Sequence, residues 1–139
     1  MTAQEIYTNL SGKFGDQILA FQEEETQNPT IHVKAKGLRA VFEYLKSEET
    51  LQMDSLMSLS GHDPAPESEF EVIYHLYATE LNHYITIKTF ADRETPAVDS
   101  IATLYRTADW HEREAYDLFG IIFEGHPDLK RILMEEDWE

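Results

Sequence analysis

The sequence predicts an α+β domain of two layers, in which two helices cover one face of a mixed five-stranded sheet. The chain has 139 residues, which is enough for one hydrophobic core and leaves little room for two domains. Two segments repeat apolar residues at helical spacing, and five others alternate or concentrate them as strands do. The predicted element order is α-β-β-α-β-β-β, followed by short C-terminal helices and an extended tail.

The first third of the chain predicts one helix and two strands. Apolar residues spaced at i, i+4 and i+8 mark one face of the helix, namely Ile6, Leu10 and Phe14. Gly12 and Gly15 weaken and end this helix. Strands are predicted at 18–23 and 30–33, and the acidic segment 23–29 between them is predicted to be a turn.

The middle third predicts a second helix and three strands. The clearest helical spacing in the chain, i, i+3, i+4 and i+7, is that of Leu38, Val41, Phe42 and Leu45. Segment 51–59 is apolar at most odd positions, which predicts a strand with Met57 facing the core. Strands at 70–76 and 84–90 are predicted to form a hairpin. The hairpin side chains predicted to pack on the second helix are Phe70, Val72, Tyr74 and Leu76.

The last third predicts short helices and a tail. Asp99 or Ser100 is predicted to cap a short helix that runs through Tyr105. Asp109 and Glu112 form a capping-box pattern that predicts a helix at 110–119, and Gly120 ends it. Segment 121–133 contains a glycine and a proline but too many apolar residues for a solvated tail, so it must pack against something. We therefore divide the single domain into a core, 1–97, and a C-terminal part, 98–139.

Charge and composition exclude several classes of function. Eleven basic and 27 acidic residues give a net charge of −16, which disfavours nucleic acids and anionic membrane surfaces as partners. The chain has no cysteine, so disulfides, thiolate metal sites and a cysteine nucleophile are excluded. No apolar run approaches the roughly 20 residues of a spanning helix, and the N-terminus resembles neither a secretory signal nor a presequence. These features predict a cytosolic chain without direct membrane insertion.

Glu112 lies in the apolar sector of the predicted 110–119 helix, and two interpretations follow. As a capping residue it would satisfy backbone N–H groups of the first helical turn. As a buried carboxylate at an interface it would need a partner, because an unpaired buried acid costs several kcal/mol. Arg106, Arg131 or a partner chain could supply that charge, and both interpretations can hold together.

The same region contains the residues for a second hypothesis, a stand-alone acidic metal-dependent hydrolytic enzyme. Its candidate cluster is Glu112, Glu114, Asp117 and His126. Carboxylates and histidines do bind metal ions, but no second histidine follows His111 at the helical spacing of a metal site. Motifs for a serine nucleophile or a phosphate-binding loop are missing, so catalysis by this chain alone has no visible apparatus.

Segment 112–133 closely resembles the signature of the 30-kDa subunit, also called the C subunit, of proton-pumping NADH:quinone oxidoreductase, respiratory complex I. The segment reads Glu-Arg-Glu-Ala-Tyr-Asp-Leu-Phe-Gly-Ile-Ile-Phe-Glu-Gly-His-Pro-Asp-Leu-Lys-Arg-Ile-Leu. Segments 98–110 and 71–76 also look like this family. The likeness is strong from about residue 70 to the end, and before that only the element order agrees.

The resemblance implies a non-catalytic scaffold in the hydrophilic arm of the complex, on the cytoplasmic face of the membrane. The chain itself would bind no cofactor, because FMN and the iron–sulfur clusters belong to other subunits. Its partners would be the large quinone-site subunit, of the D type, and iron–sulfur subunits of the B and I types. Within the superfamily the electron donor could be NADH, reduced ferredoxin or reduced coenzyme F420.

Residues that match the family motif are implied to be fold and interface residues, and none is implied to be catalytic or to bind a metal. They are Glu112, Arg113, Glu114, Tyr116, Asp117, Phe119, Gly120, His126, Pro127, Leu129, Arg131, Ile132 and Leu133. Because of its many apolar side chains, segment 112–133 is further predicted to be a subunit-binding surface.

Overall fold

The computed structural model describes residues 2–24, 27–64 and 69–126, which form three α-helices and seven strands. The helices are α1 (Ala3–Phe14), α2 (Leu38–Ser47) and α3 (Arg106–Phe119). The strands are β1 (Ile18–Glu24), β2 (Gln27–Val33), β3 (Ser55–His62), β4 (Phe70–Ala78), β5 (His83–Ala91), β6 (Ala97–Asp99) and β7 (Ile122–Glu124).

Five of the strands form one mixed sheet in the order β1-β2-β5-β4-β3. Neighbouring strands are antiparallel except for β2 and β5, which run parallel. The β4–β5 hairpin pairs residues from Phe70 opposite Ala91 to Ala78 opposite His83. The predicted α+β class, the mixed five-stranded sheet and the hairpin are all confirmed.

The hydrophobic core lies on one face of this sheet. All four residues predicted from the helical spacing of α2 are fully buried, as are Ile6 and Leu10 of α1. On β4 the alternate residues Val72, Tyr74 and Leu76 are buried, and the Phe42 ring centre lies 4.9 Å from that of Tyr74. The hairpin therefore packs on α2 through Tyr74, whereas Phe70, which was also predicted to face α2, is only partly buried and contacts Phe119 of α3.

The predicted acidic turn at 23–29 is wrong in its extent. Strand β1 continues to Glu24 and β2 already begins at Gln27, with these two residues opposite each other in the antiparallel register. Strand β2 tolerates Pro29, which has no backbone N–H to donate. The described pairing of β2 with β5 begins only at Thr30, so no backbone hydrogen bond to β5 is lost at Pro29.

The strand predicted at 51–59 is also displaced, and β3 runs over Ser55–His62 instead. Leu56 and Leu59 are buried, whereas Met57, which the alternation predicts to face the core, is exposed. The reason is a register shift against β4 between Leu56 and Ser58, which breaks the alternation of faces.

The helix predicted to begin at a cap of Asp99 or Ser100 is wrong. Residues 97–99 are strand β6, which pairs in parallel with β7 in a separate two-stranded sheet. After β6 the chain makes a turn in which the backbone N–H groups of Leu104 and Tyr105 donate to the carbonyl of Ile101. The second strand of this small sheet is distant in sequence, so the local pattern did not predict it.

Helix α3 packs closely on β3 because that strand carries a glycine at the contact. A Cβ atom at Gly61 would lie 3.1 Å from the Phe119 ring and 3.4 Å from the Ala115 Cβ. In addition, the Thr107 hydroxyl donates to the Leu56 carbonyl at 3.1 Å. These contacts fix α3 against the β3 edge of the sheet.

Asp99 caps α2 from a distant part of the chain. Its Oδ2 accepts the backbone N–H of Gly37 at 2.8 Å and that of Arg39 at 3.3 Å. Gly37, the residue preceding the helix, has no side chain to do this and adopts a left-handed φ of 89°. An anionic acceptor at a helix N-terminus also interacts favourably with the helix dipole.

We expect Asp99→Ala to lower the free energy of unfolding by about 1–2 kcal/mol, since two N–H groups lose their acceptor. Asp99→Asn keeps an acceptor oxygen without the charge, so it should cost clearly less. Urea denaturation of both variants beside the original chain measures this order. Equal losses for the two variants would contradict a capping role.

Within the described ranges, no helix is both long enough and apolar enough to cross a lipid bilayer.

Candidate functional site

The signature residue Glu112 is fully buried inside the domain. It lies on the inner side of α3, where the hydroxyl of Ser100 donates to Oε1 at 2.6 Å and the backbone N–H of Ile101 donates to Oε2 at 2.8 Å. A buried Glu112 is hydrogen-bonded as predicted, but both of these donors belong to its own domain, and a basic partner such as Arg131 at an interface stays a prediction. The capping interpretation is wrong, because α3 begins at Arg106, with Tyr105 as its N-cap, and Glu112 lies beyond the first turn.

His126 and Asp109 extend this polar cluster. The side chain of His126, only 1% exposed, places Nε2 at 3.0 Å from Asp109 Oδ1 and 3.9 Å from Glu112 Oε1. Asp109 is a helix cap in the sequence-based prediction, but it lies in the first turn of α3 and faces the segment after β7. The cluster therefore joins three segments: the turn after β6, helix α3 and the chain after β7.

Burial raises the pKa of Glu112 to about 7. The hydrogen bonds from Ser100 and Ile101 oppose this shift because they favour the charged carboxylate, while the negative charge of Asp109 adds to it. Burial also raises the pKa of Tyr74 well above its usual range, with further contributions from Glu112 and Asp99. The buried Tyr74 hydroxyl has no hydrogen-bond partner among the described residues, so the carboxylate lies in a poorly solvated part of the core.

The structure does not assemble the proposed hydrolytic cluster. Glu112 and His126 are enclosed, whereas Glu114 is on the helix surface, 3.9 Å from His111. Among the residues that the structure describes, no group of three or more histidines and carboxylates could hold a metal ion. The sealed position of Glu112 gives a substrate no access to it. The arrangement can hold segments of the chain together, and the hydrolytic alternative is not supported.

The outer side of α3 carries exposed apolar and charged side chains. Trp110 and Leu118, eight residues apart, are both exposed, and the Arg113 guanidinium lies 5.9 Å from the centre of the Trp110 ring. Arg113 Nη1 is also 3.9 Å from Asp109 Oδ1. Tyr116 and Asp117 are partly buried. These residues form a mixed surface on the part of α3 that faces away from the sheet.

The last signature residues of α3 point in different directions. Phe119 turns inward, with its ring centre 5.7 Å from that of Phe70, and Gly120 ends the helix as predicted, with a left-handed φ of 73°. Ile121 and Phe123 are buried in this domain's own core, while Ile122 is exposed. The prediction that the apolar residues of segment 112–133 bind another subunit is therefore wrong for Ile121 and Phe123.

Five predicted interface residues lie outside the described part of the chain, namely Pro127, Leu129, Arg131, Ile132 and Leu133. Ser100 and Ile101 donate hydrogen bonds to Glu112, and the sequence did not predict either of them as its partner. The nearest signal was the position of Glu112 in an apolar sector, which predicts that it needs a hydrogen-bond donor without indicating which one.

Comparison with known proteins connects this arrangement to one family. Residues 31–139 match the family model described as the 30-kDa subunit of respiratory-chain NADH dehydrogenase. The C subunit of NADH-quinone oxidoreductase from Chloroherpeton thalassium is 36% identical over 134 residues, which is 96% of this chain and 55% of that protein. The chain thus spans little more than half the length of that relative.

Two further relatives and one solved structure agree. The C subunit of F(420)H(2) dehydrogenase from Methanosarcina mazei is 34% identical over 99% of this chain and 85% of that protein. The C/D subunit of NADH-quinone oxidoreductase from Rhodopseudomonas palustris is 35% identical over 100% of this chain but only 25% of its own length. The trypsin-resistant fragment of Nqo5 covers 93% of this chain and 100% of the fragment with a TM-score of 0.74. At 24% identity that match concerns the fold alone.

Proposed function

Because the chain belongs to the family of the 30-kDa subunit of respiratory-chain NADH dehydrogenase, we propose that it is a scaffold subunit of an NADH:quinone oxidoreductase. The observation that carries the proposal is the family match over residues 31–139, which includes the whole signature segment. In this role the chain is non-catalytic and binds neither flavin nor iron–sulfur clusters. Electron transfer from donor to quinone, with coupled proton pumping, is the activity of the whole complex.

The geometry of the signature supports a structural role. Its most unusual residue, Glu112, is sealed inside the domain and bonded to Ser100 and Ile101. A group that no substrate can reach cannot act as an acid or base in turnover. Glu112 instead holds α3 and the turn after β6 together, which fixes the orientation of the outer side of α3.

The large quinone-site subunit, of the D type, is the first partner we propose. The relative named as a C/D subunit has both designations in one polypeptide, and this chain corresponds to only a quarter of it. A polypeptide that contains both parts keeps them close together, which favours direct contact between separate C and D subunits. Iron–sulfur subunits of the B and I types are the further partners, and the chain would lie on the cytoplasmic face of the membrane as a peripheral component.

The docking surface for the D-type subunit would be the outer side of α3 with the segment that follows it. Exposed apolar side chains at Trp110, Leu118 and Ile122 suit an interface core, and the charged residues around them suit its rim. Arg131 and Asp117 are the charged signature residues that we expect to pair across the interface, where removal of one partner of a desolvated pair costs about 2–5 kcal/mol of binding.

We expect Arg131→Ala and Asp117→Ala to weaken incorporation into the complex while the isolated domain keeps most of its stability. Binding to the D-type subunit, measured beside thermal melts of the same variants, tests this. Arg39→Ala is the matched control, since Arg39 is a half-exposed arginine on α2, away from α3, that pairs with Glu43 at 3.0 Å and donates to the Thr103 hydroxyl at 2.6 Å. Variants that melt far below the original chain yet bind normally once folded would place these residues in the fold and not in the interface.

The same preparations test the non-catalytic role. The purified chain should be colourless and should not oxidise NADH with a quinone or a dye, whereas a complex that contains it should. Bound flavin or iron, or turnover by the isolated chain, would overturn the scaffold role.

A further inference from the structure

The second face of the five-stranded sheet is not covered by any described helix or strand. The register places Tyr77 beside Tyr84, His75 beside Thr86 and Ile73 beside Lys88 on this face, where neighbouring side chains leave Thr86 only 4% exposed. The hydrophobic core residues of these strands point to the opposite face, where the helices lie. We call the uncovered side the open face.

The open face contains a groove with an apolar rim. The groove has a volume of about 540 Å³ and is lined on the open side by Met57, Ser58, His75, Tyr77 and Tyr84. Met57 is 67% exposed and Tyr84 is 55% exposed, although both are large apolar side chains. The volume is sufficient for a large side chain of another protein, and exposed apolar residues grouped around a concave site are typical of interaction surfaces.

Met57 owes its exposure to the backbone. The register shift between Leu56 and Ser58 turns Met57 out of the core, and both flanking leucines of the strand, Leu56 and Leu59, remain buried. Bulges often re-aim a side chain next to a functional site. A methionine adapts its shape to a partner more readily than a branched side chain does.

The charge of the open face differs from that of the rest of the chain. The three strands that line the groove, β3, β4 and β5, contain one carboxylate, Glu71, which lies 3.6 Å from Lys88, and their remaining titratable side chains are histidines and tyrosines. The chain as a whole has a net charge of −16. A basic partner would find few carboxylates on the open face and would bind an acidic part of the chain instead. An acidic partner would be repelled by the net negative charge of the chain. The open face therefore suits an uncharged surface.

We propose that the open face is a second docking surface, and that it binds an uncharged apolar segment of a neighbouring subunit with one large side chain in the Met57–Tyr84 groove. This rests on the proposed function, because only a subunit of a larger complex has such a neighbour. A second copy of the chain is disfavoured as the occupant, since two chains that each have a net charge of −16 repel one another. The surface is separate from the outer side of α3, so the chain would contact two partners at once.

The absence of cysteine from the sequence makes the proposal directly testable. Met57→Cys and Tyr84→Cys each place a single thiol on the rim of the groove, at positions exposed enough to tolerate the change. Leu19→Cys is the matched control, because Leu19 is an apolar residue, 50% exposed, on β1, which is the opposite edge strand of the sheet from β3 and does not line the groove. Each variant is reacted with a maleimide as the free chain and within the purified complex, and the labelled fraction of this chain is measured by mass spectrometry.

We expect the two groove thiols to react at least about tenfold more slowly in the complex than in the free chain, whereas the control changes less than about twofold. Groove thiols that react equally fast in both states would overturn the docking surface, as would a control that slows as much as they do. The groove thiols could also react slowly in the free chain. If that protection depends on protein concentration, a second copy of the chain covers the groove, and if it does not, residues of the same chain cover it. Either result overturns the proposal.

The outcome separates this inference from the proposed function. If the original chain does not co-purify with the other subunits, the proposed function fails and the inference loses its basis. If the original chain co-purifies but the groove thiols stay reactive, only the second docking surface fails.

Discussion

When Glu112 is replaced by glutamine, the free energy of unfolding of the variant relative to that of the original chain should rise as the pH rises from 5 to 8. The carboxyl of Glu112 has a pKa of about 7 in the folded chain, above the ordinary value of 4.5. A raised pKa means that the folded state holds the proton more tightly than the unfolded state does. The stability contributed by this group is fully present below pH 4.5 and is lost as the pH rises through 7.

The expected size of the effect is about 2–3 kcal/mol between pH 5 and pH 8, from about 1.4 kcal/mol for each pH unit of difference between the two pKa values. Glutamine has no proton to lose there, so its contribution should not change with pH. Its carbonyl can still accept the Ile101 N–H, and its amide can donate to Ser100 Oγ. Urea denaturation of both chains across this pH range measures the difference.

Glu114→Gln is the matched control for this prediction. Glu114 is on the same helix, and its half-exposed side chain lies 3.9 Å from His111. Because solvent screens such a pair, the control variant should differ from the original chain by less than about 1 kcal/mol at every pH in this range. A flat difference for Glu112→Gln would show that Glu112 is charged or solvated in the folded chain, contrary to the structure.

Leu45→Ala should lower the free energy of unfolding by about 2–5 kcal/mol. Leu45 is fully buried on the inner face of α2, and its truncation leaves a cavity that the surrounding core can fill only in part. Chemical denaturation monitored by circular dichroism provides the measurement.

The same substitution at an exposed leucine is the control. Leu118 on α3 is 60% exposed, so Leu118→Ala should change the stability of the isolated chain by less than about 0.5 kcal/mol. A loss of that small size at Leu45 would mean that this face of α2 is solvent-exposed. The pair of variants also separates stability from assembly, because Leu118 lies on the surface proposed to bind the D-type subunit.

A buried carboxylic acid at position 112 is not favoured by stability alone, but it has a structural role. A charged group without full solvation costs free energy, yet removal of Glu112 by an apolar residue would leave the Ser100 hydroxyl and the Ile101 N–H without their acceptor. Glu112 therefore holds the turn after β6 in one position relative to α3. That position determines which residues of α3 face outward.

The local spacing of apolar residues was sufficient to predict an element and its buried face where that element is amphipathic. The spacing of Leu38, Val41, Phe42 and Leu45 predicted α2 and its buried face, and the alternation along 70–76 predicted β4 and its partner helix. These predictions succeed because the 3.6-residue and two-residue periods come from the backbone geometry itself. The signature segment likewise identified the family before any contact was known.

The class of the fold, the hairpin, the two helices on its core and the family could all be predicted from the amino-acid sequence. Three features became known only from contacts in the folded chain: Met57 points outward, 97–99 is a strand paired with β7, and Glu112 binds Ser100 and Ile101. Each of these depends on a segment far along the chain: β4 for the register shift, β7 for the small sheet, and α3 for the turn after β6. A local period specifies which face of an element is apolar, but the partner of a backbone group or a buried carboxylate is specified only when distant segments meet.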